Sequence, residues 1–267
     1  MFGFGRSSAA AAATPAAMSR HALDVQQTRN ELGGWPVAEE VVAAMSAVDL
    51  YMIRSVLERH RTAEPHWNDS RDARYLNDSR VAHLAAGGYV FENLSVYMTM
   101  TNLLSPVLRR PGAVVLDVGC GTGFLTMVLA HLVAPRGGKV VAIDLFERQV
   151  EHAKRDTAAV RPDLLERCEF RRANAFEFET GERFDAIAVA AQCDTVPQNL
   201  VRMLKPGGRL VCPLGKIVPI DSDDPERFQP FFLHEAGASE AAPPAIAERA
   251  GPISVNFLPL IPPVGAS

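Results

Sequence analysis

The chain has 267 residues, 48% of them hydrophobic, enough for one large α/β domain with a substantial core. Its formal net charge is −4 and its Lys and Arg are scattered, so it offers no general attraction to nucleic acid, and no apolar run is long enough to span a membrane. The four cysteines (Cys120, Cys168, Cys193, Cys212) are far apart, lack metal-ligand spacing and fit free thiols in a reducing compartment.

Residues 1–20 contain a run of alanines with Arg6 and Arg20 and no acid; the first acid is Asp24. That composition fits a disordered tail on a cytoplasmic protein or, alternatively, a mitochondrial targeting segment. Residues 21–62 are predicted helical. Val37–Ser46 is one amphipathic run with Pro36 at its first helical position, and Leu50–Arg61 continues the pattern. Glu64–Asp78 is polar and predicts a loop. Gly87-Gly88 then precedes Tyr89-Val90-Phe91 and Glu92-Asn93-Leu94-Ser95, and Tyr97–Leu108 is again helical. Residues 21–110 are therefore expected to form a helical cap over the carboxyl ends of a sheet built by residues 111–267, cap and core making one compact unit.

Val114–Gly123 organises the rest. A β-branched run ends in three alternate glycines, Gly119, Gly121 and Gly123, and the apolar helical pattern Phe124–Leu132 follows directly. This predicts a buried parallel strand, a tight turn and a helix start. The glycines let backbone amides approach a ligand, and the helix N-terminus behind them favours electron-rich groups. A dinucleotide fingerprint needs glycine at the sixth position of the turn, where this chain has Phe124, and a bulky ring argues against a pyrophosphate there.

The second strand, Lys139–Ile143, ends in Asp144, an acid placed to accept both hydroxyls of a ribose. Glu147–Thr157 is a charged amphipathic helix. Cys168–Arg171 is a third strand, followed by Ala173-Asn174-Ala175-Phe176, where Asn174 is either an adenine contact or a turn former. Phe184–Ala191 is a fourth strand, apolar throughout. Val196-Pro197-Gln198-Asn199-Leu200 opens a helix that stops at Lys205-Pro206-Gly207-Gly208, and Arg209–Pro213 is a fifth strand. Residues 214–250 are expected to be loop-rich, with an apolar piece at Pro230–Leu233 and a surface insertion at Ala236–Ala250. Ser254–Pro259 alternates as a last, antiparallel strand. This rhythm predicts an α/β fold: a doubly wound, mostly parallel Rossmann-like sheet with its ligand outside the carboxyl ends of the strands.

Leu116-Asp117-Val118-Gly119-Cys120-Gly121-Thr122-Gly123 together with Val140-Val141-Ala142-Ile143-Asp144 resembles a class I S-adenosylmethionine-dependent methyltransferase. From about Val37 to Leu260 the chain is similar to one family in particular, the protein-L-isoaspartate O-methyltransferases. The similarity is carried by Val114–Thr126, Phe184–Ile187 through Val196–Leu200, Leu204–Leu210 through Cys212–Gly215, and Val255–Leu260. The chain departs from that family after Ser95, where Val96-Tyr97-Met98 replaces a segment ending in Pro-His. It also carries Ala173-Asn174-Ala175 in place of Gly-Asp-Gly, and Asp194 in place of a proline.

The resemblance implies methyl transfer from S-adenosyl-L-methionine to the free α-carboxylate of an isoaspartyl residue in a damaged protein, by a monomer that needs no nucleic acid and no membrane. It implies that Gly119, Cys120, Gly121, Thr122 and Gly123 hold the methionine end of the cofactor. Asp117 orients the turn or bonds the cofactor amino group, Asp144 with Leu145 meets the ribose, and Asn174 with Ala175 meets the adenine. Ser95 is the candidate to hold the substrate carboxylate; an ordinary helix N-cap is the competing role. Tyr97 either lines the acceptor pocket or packs in the core, and Asp194 is read as solvated. Two other functions stay open: methyl transfer to another acceptor, RNA or a small molecule, and a catalytically silent assembly protein.

Overall fold

A computed structural model describes residues 18–61, 93–215, 228–237, 248–255 and 260. The tail up to residue 17, the expected loop at 64–78, the stretch through residue 92 and residues 256–259 of the last expected strand lie outside the described residues.

Seven strands form one sheet: β1 (Val114–Val118), β2 (Lys139–Asp144), β3 (Cys168–Arg172), β4 (Phe184–Val189), β5 (Leu204–Pro213), β6 (Gln229–Glu235) and β7 (Glu248–Val255), in the order β3-β2-β1-β4-β5-β6-β7. The first five are parallel; β6 pairs antiparallel with β5, and β7 antiparallel with β6. β1 and β4 are buried along almost their whole length, as their unbroken apolar character requires when both faces are covered. The chain runs outward from β1 to β3 and returns past β1 to β4. A crevice therefore opens where the two neighbours of β1 diverge, at Val118, whose partners are Ile143 and Val189.

Alternation divides the core. Val115, Val140, Ala186 and Val211 face one side and pack under α1 (Arg20–Glu31), α2 (Glu39–Ala47), α4 (Leu94–Leu108) and α5 (Phe124–Val133). Leu116, Val118, Val141, Ile187 and Leu210 face the other, with Phe178, Leu200 and Met203. Two further helices, α3 (Leu50–Arg61) and α6 (Glu147–Val160), and the short α7 (Gln198–Arg202) complete the α-helices among the described residues. No helix among the described residues is long and apolar enough to cross a membrane.

Three local expectations change. The second helix starts at Glu39, not at Val37, and Pro36 stands outside it. The side chain of Asn102 on α4 accepts from Ala38 N at 2.9 Å and donates to Pro36 O at 3.0 Å, so a distant residue holds the segment that leads into the helix. Lys205-Pro206-Gly207-Gly208 is not a stop before the fifth strand but an irregular part of it, where the register with β4 shifts between Phe184 and Ala186. Gly207 takes φ +65° there, and its N–H donates to Gly237 O. Finally, Pro230–Leu233, expected as an apolar piece in a loop, lies within the strand β6, and residues 248–250 of the expected insertion begin β7.

At the amino ends of the strands Asp185 closes the sheet. It is buried, and its carboxylate accepts from Val114 N (2.9 Å), Lys205 Nζ (2.7 Å) and Arg110 Nη1 (3.3 Å). Burial works to raise its pKa, but these donors outweigh it and hold the carboxyl below its ordinary range.

Candidate cofactor site at the carboxyl ends of the strands

The three glycines are there for three different reasons. All take positive φ, +81° at Gly119, +50° at Gly121 and +78° at Gly123. A Cβ on Gly119 would stand 3.2 Å from Ala190 O at the end of β4. On Gly123 it would stand 3.1 Å from the Cα and the carbonyl oxygen of Ala153, so that glycine lets α6 pack against the turn. On Gly121 it would meet nothing closer than the turn's own Gly119 O at 4.0 Å. Only Gly121 faces open space; its neighbours are glycine for packing, not for ligand approach.

The turn is fastened to β2. Gly119 N and Cys120 N both donate to Ile143 O, at 2.8 and 3.1 Å, and Gly121 N donates to Asp144 Oδ2 at 3.1 Å. The other oxygen of Asp144 accepts from Phe146 N at 3.1 Å, immediately before α6. Asp144 is half-buried, and the C=O of its neighbour Leu145 accepts from Arg172 Nε at 3.1 Å. Cys120 and Thr122 are buried, and burial, with the charges of Asp144 and Asp117, pushes the Cys120 thiol well above its ordinary pKa. Cys120 is therefore a neutral packing group, and all four cysteines are free.

Asp117 lies beneath the turn with no exposure at all. Its Oδ2 accepts from Thr126 Oγ1, in the first turn of α5, at 2.6 Å, and its Oδ1 has no hydrogen-bond partner. Burial raises its pKa to about 7; the Thr126 bond opposes the shift and the Asp144 charge adds to it. A buried carboxylate oxygen without a donor is costly. Beside an open Gly121, below a helix whose N-cap Gly123 offers no side-chain hydrogen bond, it fits a ligand carrying an ammonium and a carboxylate.

On the far side of β2, Ala173 N donates to Asp144 O at 2.9 Å, which brings the loop after β3 against the same crevice. Asn174 Oδ1 accepts from Phe176 N at 3.0 Å, and Glu177 N donates to Asn174 O at 3.0 Å. Asn174 thus builds the turn. Ala175 is buried among Phe178 and Leu200.

Ser95 is half-buried in the first turn of α4, but that helix is entered through Asn93, so Ser95 is not its N-cap. Tyr97 is buried, its ring 4.8 Å from that of Phe124. Phe124 also meets His21 of α1 edge-on at 6.3 Å, and His21 Nε2 donates to Met45 O at 2.8 Å. The bulky residue at the sixth position of the turn is therefore the seat on which the N-terminal helices rest. Asp194 is exposed and accepts from Thr195 N at 2.7 Å. Three contributors went unseen in the sequence: Thr126, Arg172 and Asn199, whose amide bonds the loop after β3. A hydroxyl in the otherwise apolar first turn of α5 was the one available signal, for Thr126.

A seven-stranded sheet of this order, with a glycine turn after β1 and an acid after β2, is the Rossmann-like fold of the class I methyltransferases. The family model described as protein-L-isoaspartate(D-aspartate) O-methyltransferase matches residues 78–225, more than half of the chain, and the chain belongs to that family. A protein-L-isoaspartate O-methyltransferase of Aeropyrum pernix is 35% identical over 123 residues, 43% of this chain and 43% of that protein. Protein-L-isoaspartate O-methyltransferase 1 of Arabidopsis thaliana is 29% identical over 210 residues, 76% of this chain and 81% of that protein. Several curated relatives are matched over only 40–49% of their own length. In structure, a Plasmodium falciparum chain described as belonging to the same family, in complex with S-adenosyl-L-homocysteine, superposes with a TM-score of 0.63 at 18% identity, covering 91% of this chain and 99% of that one.

Proposed function

We propose that this protein transfers a methyl group from S-adenosyl-L-methionine to the free carboxylate of L-isoaspartyl residues in damaged proteins. The observation that carries the proposal is the glycine turn held open at Gly121 by Asp144, in a chain of the isoaspartate methyltransferase family. The free N–H groups of the first turn of α5 and Asp117 Oδ1 supply donors and an acceptor for the amino-acid end of the cofactor, beside Gly121, whose own N–H is held by Asp144; Asp144 serves the ribose, and the loop bearing Asn174 the base. Ser95, in the first turn of α4, serves the acceptor carboxylate.

The bound cofactor supplies a sulfonium, an activated leaving group. A carboxylate is ionised at neutral pH and needs no base, so the protein's task is alignment and exclusion of water, and alignment can account for roughly 7–11 kcal/mol of a barrier. The lack of a Pro-His after Ser95 does not remove this chemistry. The helical cap works with the core as one unit through Tyr97, His21 and Phe124. The free cysteines suit a reducing compartment such as the cytoplasm, and the charge balance suits a protein acceptor over nucleic acid.

Titration calorimetry with S-adenosylhomocysteine, followed by incubation with tritiated cofactor and an isoaspartyl peptide beside its aspartyl twin, tests this directly. Binding with transfer to the isoaspartyl peptide alone is expected. Binding without transfer to either peptide would direct the search to another acceptor, and no binding would leave a scaffold.

A further inference from the structure

The loop that follows β3 is braced by a side chain from outside the strands that build the glycine turn. Asn199, on α7, donates through Nδ2 to Ala175 O at 2.7 Å and to Phe178 O at 3.1 Å. Both partners are acceptors, so only the amide nitrogen can face them, and one NH2 group uses both its protons on one loop. Pro197 caps the short helix and buried Leu200 seats it against Phe178, which fixes where the Asn199 amide sits. The loop itself is tied at its start to Asp144 O through Ala173 N and folded by the Asn174–Phe176 and Asn174–Glu177 bonds. It therefore has two independent anchors, one on β2 beside the glycine turn and one on α7.

From this geometry we propose that Asn199 is a positioning residue that gives the cofactor site its selectivity for adenine. The inference rests on the cofactor reading above and adds the element that shapes the base end. The Asn199 amide holds two loop carbonyls toward α7 and so fixes which face of the loop meets the base. Without it, the carbonyls of Ala175 and Phe178 lose their donor in a partly buried place, and the loop must rotate to find water. The glycine turn and the Asp144 carboxylate are bonded to each other and not to Asn199, so the amino-acid and ribose ends stay as they were.

The test compares two ligands that differ only at the base: S-adenosylhomocysteine, with a 6-amino donor, and S-inosylhomocysteine, with a 6-oxo acceptor. Calorimetry on the full chain is expected to give tighter binding of the adenine compound by about tenfold or more, the scale of one misplaced hydrogen bond. Asn199→Ala weakens the adenine compound about tenfold and brings the two affinities together. Asn199→Asp, which sets a carboxylate oxygen against the two carbonyls, loses the discrimination more fully. Asn199→Ser, keeping one donor, lies between wild type and Asn199→Ala and serves if either of the other variants does not fold.

A parallel loss for both ligands, with the ratio kept, would mean that Asn199 only supports the fold and would overturn the proposal. Wild-type binding of both ligands with equal affinity would overturn it while leaving the cofactor reading intact. Wild-type binding of neither would overturn both.

Discussion

Two buried aspartates at opposite ends of the sheet show how one residue type is put to two uses. Asp185, at the amino ends of β1 and β4, receives a backbone N–H, an ammonium and a guanidinium. Asp117, at the carboxyl end of β1, receives one hydroxyl and keeps one oxygen without a partner. The first carboxyl lies below its ordinary pKa; the second is raised to about 7, chiefly by burial. One end is closed by satisfied polar groups and contributes to stability. The other carries an unmet acceptor and an open glycine, both of which lower stability until a ligand arrives.

The contrast can be broken at several points. The largest effect is expected inside the turn, at Gly123→Val, where a left-handed φ and a Cβ 3.1 Å from Ala153 backbone combine. A loss of about 3–5 kcal/mol in urea unfolding is expected from strain plus overpacking. Asp185→Ala removes three donors' partner, although Lys205 and Arg110 are partly solvated; about 2–3 kcal/mol is expected.

The two aspartates also give opposite pH slopes. Asp185 is depressed when folded, so its contribution is present above the unfolded carboxyl pKa and is lost as pH falls through the folded one. Asp117 is raised when folded, so the unfolded chain releases its proton first. Stability is full below the unfolded value of 3.8 and declines as pH rises to about 7. Asp117→Asn should therefore raise the stability of the ligand-free protein at pH 8 by about 1–3 kcal/mol and leave it unchanged below pH ~4, as read by thermal unfolding across pH. The smallest effect on folding is expected at Gly121→Ala, about 1 kcal/mol from its left-handed φ, with space for the methyl group. The same substitution should weaken S-adenosylhomocysteine at least tenfold, and unchanged affinity would remove Gly121 from the ligand contact.

The parallel strands and the glycine turn were legible because their signals are local: apolar runs ending in glycine or acid. What escaped depends on residues far apart in sequence. The segment that leads into α2 is held by Asn102, which accepts from Ala38 N, 64 residues away. Asp185 gains its meaning from Arg110, 75 residues away, and from Lys205. Strand β6 contains Pro230 and lacks clean alternation, and it exists because β5 and β7 pair with it on either side. Asn199 sits in a motif that reads as a helix start, and nothing in its neighbours reveals that its amide faces a loop 21–24 residues earlier.

The ring of Phe124, wedged between Tyr97 and His21 one residue after Gly123, has a thermodynamic consequence for the chain's N-terminal part. A ligand that binds the turn stabilises every state in which the turn and Phe124 keep their place, by RT ln(1 + L/Kd), where L is the free ligand concentration. Opening fluctuations of α1 that also displace Phe124 and the turn behind it become rarer to the same degree. Backbone amides of α1 whose exchange needs such openings should therefore exchange with deuterated solvent more slowly when S-adenosylhomocysteine is present.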